Sequence, residues 1–145
     1  MNRQRLLVVC LLIGFTGAIA LGQDKDSPPA KEKEPDLMAR LKNVKGSFSL
    51  IVSFRVKKGE EAAFLAAAKP AIAATVKEKG CKRYELNQDL ETPTKFVLLE
   101  RWDSVADIEA HMAADHTKKL LATLATIADG PAKIEIAKRR LHEKK

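Results

Sequence analysis

The sequence predicts an α+β fold with four strands and two helices in the order βαββαβ. Three observations carry that reading. Residues 47–57 alternate between apolar and polar side chains, two later segments have helical spacing with suitable start and stop residues, and a proline-containing turn separates two further strand-like segments. The period of the pattern therefore switches between 2 and about 3.6 several times along the chain.

The first strand is residues 47–57. Phe48, Leu50, Val52, Phe54 and Val56 point one way and Ser47, Ser49, Ile51, Ser53 and Arg55 the other, so one face is strongly apolar. Gly59 breaks the strand, and residues 60–79 read as a helix. Glu60 and Glu61 stand in its first turn, where the helix dipole favours acids. Phe64, Leu65, Ala68, Ile72 and Val76 form its expected buried stripe. Pro70 removes one backbone bond and predicts a kink, and Gly80 is a fitting stop.

Residues 81–89 are the second strand and 95–102 the third, joined across Pro93 and its polar neighbours, which cannot continue a ladder. The run Phe96-Val97-Leu98-Leu99 is apolar on both faces, so both should be covered. Ser104 and Asp107 make a capping-box-like start for a second helix, which runs to about Ala128 with a break near Asp115 as an option. Gly130-Pro131 ends it, and Ile134 and Ile136 alternate in a fourth strand within residues 132–141. This order is the split βαβ, or ferredoxin-like, arrangement. Two helices cover one face of a four-stranded sheet. Ile51, Val97 and Leu99 on the other face then call for a partner, which a second copy of the chain would supply.

Composition bounds the rest. The chain has 145 residues, 46% hydrophobic and 31% charged, which allows one domain and excludes a multidomain enzyme. Residues 1–22 read as an export signal: Arg3 and Arg5 precede an apolar run, and Ala20 and Gly22 suit a cleavage site. A retained N-terminal anchor is the alternative. Cleavage predicts a periplasmic or secreted protein with no stable membrane insertion. Residues 23–45, with Pro28, Pro29 and Pro35 among charged residues, read as a linker. The folded domain is expected at 46–141 and a basic tail at 142–145.

Without the signal the charge is 24 basic against 19 acidic residues, and residues 138–145 carry four of the five surplus positive charges. The body is thus nearly neutral and poor in aromatics, which argues against nucleic-acid binding. Cys81 is alone once Cys10 leaves with the signal, so no internal disulfide is expected.

Four stretches carry a resemblance: Ile51-Val-Ser-Phe-Arg-Val-Lys-Lys-Gly-Glu-Glu, Lys79-Gly-Cys-Lys-Arg-Tyr-Glu-Leu, Phe96-Val-Leu-Leu-Glu-Arg-Trp-Asp-Ser and Ala110-His-Met-Ala-Ala-Asp-His. In order and spacing, from about Ser47 to about Leu141, the chain resembles the antibiotic biosynthesis monooxygenase family. The resemblance implies a dimeric α+β barrel of ferredoxin-like subunits. Many members oxidise quinols or polyketide phenols with O₂ and no cofactor; others degrade haem, isomerise small phosphorylated ketones or have no known activity, so fold does not fix function. Haem-degrading members carry an Asn, a Trp and a His at positions near Val52, His111 and Leu121 here, and their absence disfavours haem oxygenation.

Glu100 and Trp102 lie two apart on one strand and share a face. If that face looks at the helices, they line the pocket in which the family holds ligand. A carboxylate among Phe96, Leu98 and Trp102 must be paired or have its pKa raised by desolvation, and either state suits a proton acceptor. Trp102 also fits a packing anchor with its N–H bonded. His111 and His116 match the two histidines of the family's pattern. They are about 140° apart on a continuous helix and reach one point only if it breaks. Asp107, His111 and Asp115 share a stripe, and two such acids would favour the imidazolium. Tyr84 is a further pocket candidate; Arg55, Asn87 and Arg101 are weaker ones. With no HExxH, CxxC or phosphate loop, neither a metal nor a nucleotide is expected. The expectation is an exported homodimer acting as a cofactor-independent monooxygenase on a small quinol-like or phenolic substrate, with His111 or Glu100 as base and Trp102, Tyr84 and His116 around the substrate. A ligand-holding or stress-related module and an isomerase are the rivals.

Overall fold

The structure, a computed structural model, describes residues 36–138 and 140. The expected signal and the greater part of the expected linker and basic tail lie outside the described residues. The elements are α1 (Leu37–Leu41), β1 (Phe48–Arg55), α2 (Glu61–Thr75), β2 (Cys81–Gln88), β3 (Lys95–Trp102), α3 (Val105–Ala113), α4 (Asp115–Ile127) and β4 (Lys133–Ala137). The four strands form one sheet in the order β2-β3-β1-β4. All three pairings are antiparallel, with Leu50 opposite Glu100 and Tyr84 opposite Glu100 on its other side. This is the ferredoxin-like arrangement expected from the sequence. No helix of the described residues is long and apolar enough to cross a membrane.

The alternation along β1 sets the architecture. Phe48, Leu50 and Phe54 are buried, as is Val56 just beyond the strand, so the apolar face meets the helices. Two core clusters result. One joins Phe54, Phe64, Phe96, Ala68, Ala71, Leu120 and Ile127; its three phenylalanine rings lie 4.6 to 5.9 Å apart, the spacing at which aromatic pairs attract. The other joins Leu41, Phe48, Leu50, Tyr84, Trp102 and Ile108.

Two details differ from the sequence expectation, and a third takes the option it left open. The buried face of α2 is Phe64, Ala68, Ala71 and Thr75, while Leu65 is 41% and Val76 50% exposed. Alanine packs where helix and helix approach closely, so small residues take the inner face. The packed unit also begins ahead of Gly46: Leu41 of α1 is fully buried in the second cluster, and Arg40 donates to the Ile134 carbonyl at 2.7 Å. Third, the second helical segment does break near Asp115, into two helices. Ala114 has φ −70° and ψ 144°, an extended conformation that ends α3 and starts α4.

Candidate functional site

A cavity of about 300 Å³ opens between the sheet and the helices, lined by side chains of both core clusters such as Leu50, Phe54, Phe64 and Leu98. That is the lower end of the range for small-molecule sites. Its few polar side chains are Tyr84, Glu100, His111 and Thr117. Leu37 of α1 also reaches it.

Glu100 and Trp102 share the inner face of β3, as their spacing predicted. Glu100 is 6% exposed, and its Oε2 accepts a 2.8 Å hydrogen bond from the Trp102 indole N–H. Burial pushes the Glu100 carboxyl from its ordinary 4.5 up to about 7, against the smaller opposing pull of the indole bond. At neutral pH this side chain can therefore hold or release a proton. Trp102 is fully buried with its N–H bonded and is not among the lining residues. It stands behind the wall, stacked obliquely on His111 at 4.9 Å and edge-on to Tyr84 at 6.4 Å. The Tyr84 hydroxyl's pKa is raised, first by burial and then by the charge of Glu100, so Tyr84 stays a neutral phenol.

His111 is 4% exposed and lines the cavity. The expectation that Asp107 and Asp115 are the acids acting on His111 is corrected. Asp107 hydrogen-bonds the Ser104 hydroxyl at the start of α3, whose oxygen accepts from the Asp107 backbone N–H, and Asp115 lies beyond the break. The carboxylate that meets His111 is Glu78, with Oε2 2.7 Å from Nδ1. Glu78 sits after α2 and ahead of Gly80, whose φ of +79° suits glycine and whose missing Cβ leaves room for the Asp107 side chain. Burial lowers the His111 pKa; the Glu78 bond opposes this without overcoming it. The ring is thus neutral at pH 7. With Nδ1–H donating to Glu78, Nε2 carries the lone pair, and the Thr117 hydroxyl is 3.5 Å from it.

The helix break brings His116 back to the same carboxylate. Its Nε2 is 2.9 Å from Glu78 Oε1, and the two imidazole rings are 5.9 Å apart. His116 does not line the cavity. Glu78 carried no sequence signal as a site residue; a charged residue just before a helix-ending glycine reads as solvated. Arg55, Asn87 and Arg101 do not line the cavity either.

Residues 47–123 match the family profile of antibiotic biosynthesis monooxygenases. Among solved structures, a Nitrosomonas europaea protein named for the same family is 29% identical with a TM-score of 0.61, covering 64% of this chain and 90% of its own. A conserved protein of Methanosarcina mazei is 27% identical with the same TM-score, covering 66% and 94%. A Mycobacterium tuberculosis protein, at 20% identity and a TM-score of 0.62 over 68% and 99%, shares the fold. The comparison with curated proteins returns no match.

Proposed function

The chain belongs to the antibiotic biosynthesis monooxygenase family, and from that premise we propose that it oxidises a small quinol-like or phenolic substrate with O₂ and no cofactor. The observation that supports this most is the buried Glu100 carboxyl, near pKa 7, on the wall of an otherwise apolar cavity. Glu100 accepts the substrate's hydroxyl proton. The resulting anion is electron-rich enough to reduce O₂ directly, and a carbon–oxygen bond forms to give a hydroperoxide. Collapse of the hydroperoxide leaves one oxygen atom on the ring as a carbonyl and releases the other as water. Both electron pairs come from the substrate. Apolar walls keep bulk water from the intermediate. His111, held by Glu78, orients the substrate's oxygen, while Trp102 and His116 support the wall from behind and Tyr84 packs on the bound ring.

The same reading includes a homodimer through the outer sheet face, where Ile51, Val97 and Leu99 are half-buried in the single chain, and export to the periplasm or beyond on the strength of residues 1–22.

Oxygen uptake by the full chain with a panel of quinols and phenols tests the activity. Turnover of at least one member is the expected result. Tight binding of a quinol without oxygen uptake would leave a ligand-holding module, and substrate rearrangement without uptake an isomerase.

A further inference from the structure

Glu78, His111 and His116 come from three places: the turn after α2, the end of α3 and the start of α4. Each presents one nitrogen or oxygen, and the three atoms lie within 4.8 Å of one another. On a continuous helix the two histidines would diverge; the extended backbone of Ala114 turns both onto one carboxylate. We propose that these three side chains form a site for one divalent first-row transition-metal ion of the zinc or iron(II) kind.

The donor set fits such an ion, for which two imidazoles and a carboxylate with open positions are a favoured combination. Metal–ligand bonds of about 2.0–2.2 Å place neighbouring ligand atoms roughly 3.3 Å apart in a tetrahedral site. The histidine nitrogens stand 2.7 and 2.9 Å from the two different oxygens of Glu78, and one atom from each residue fits within 4.8 Å, so side-chain rotations must bring that set to the tetrahedral spacing. A second observation points the same way. His116 Nε2 is shielded from solvent and has no hydrogen bond of acceptable angle, although Glu78 Oε1 is 2.9 Å away. A buried polar atom left so calls for an ion or a water to complete it. The surroundings supply the outer support as well. The Thr117 hydroxyl lies 3.2 Å from His111 Nδ1 and 3.5 Å from Nε2, so with a metal on Nδ1 it must turn to the Nε2 proton to serve as the outer partner.

The site shares His111 and Glu78 with the proposed oxidation, but that oxidation draws no step from a metal. The test is therefore binding alone. Titrating the full chain with Co²⁺ should give one equivalent per chain and a visible d–d absorption band. Glu78→Gln and His116→Ala, each folded by circular dichroism, should weaken Co²⁺ at least about tenfold. No band up to millimolar Co²⁺, or unchanged affinity in the folded variants, overturns the proposal. Should the variants not fold, ¹⁵N spectra of the wild-type histidines during a Zn²⁺ titration decide. His111 and His116 should shift together; a shift confined to His142 overturns the site.

Discussion

Glu100 shows what one residue contributes and what it costs. Between about pH 4.5 and 7 the folded chain keeps a proton on Glu100 that the unfolded chain has released, so the folded state binds more protons and its stability falls as pH rises through that window. The full span is worth about 3 kcal/mol. His111 works in the opposite sense, because burial lowers its proton affinity in the folded state. The difference between wild type and Glu100→Gln in urea unfolding isolates Glu100: the variant should gain relative stability from pH 4.5 to 7, and a pH-independent difference would count against the raised pKa. Trp102→Phe removes the one hydrogen bond that holds this pKa down, so the Glu100 carboxyl should titrate higher still by ¹³C NMR. At this scale the sequence was legible where partners are close along the chain. Glu100 and Trp102 share a strand face by simple alternation. Glu78 was not legible, because its partners lie two strands further along the chain and more, and the carboxylate partner of His111 was hidden for the same reason. The acids one helical turn from His111, Asp107 and Asp115, are taken by a helix cap or lie beyond a helix break.

Among the elements, α2 and the α3–α4 pair position the site. Gly80 joins them: its carbonyl accepts from the Asp103 N–H at 2.9 Å, and a Cβ there would collide with the Asp107 side chain. Gly80→Ala combines a left-handed backbone with overlap, and should destabilise the fold by about 2 kcal/mol or more by denaturant melts; a change within experimental error would contradict the packing described. α1 is short, yet Leu41 is fully buried. Leu41→Ala should cost roughly 2–5 kcal/mol, where a tether residue would cost almost nothing. β1 and β4 could be read from their period, and β3, Lys95 to Trp102, from an apolar run that follows a proline-containing turn. The inner face of α2 could not: its alanines, Ala68 and Ala71, carry little hydrophobic contrast against the neighbouring Leu65 and Val76, so only packing decides which side turns in.

For the molecule as a whole, the two core clusters meet around a cavity instead of closing over it, and that space is what the βαββαβ order leaves for a ligand. The order was legible because each boundary between elements is punctuated by Gly59, Gly80, Pro93, Ser104 or Gly130. The cavity was not, since its volume depends on how far helices stand from the sheet, and no residue pattern encodes a gap. Light scattering of the full chain at micromolar concentration should give twice the monomer mass if the outer sheet face pairs as proposed. The central claim is that Glu100 is the proton acceptor in that cavity, and the pH dependence of kcat/KM for oxygen uptake tests it most directly. With a substrate from the quinol panel, the wild-type rate should rise through a pKa of about 7, and Glu100→Gln should lose that ionisation together with roughly 10²–10⁴-fold of the rate. A folded Glu100→Gln variant that keeps both the rate and the ionisation would contradict the account.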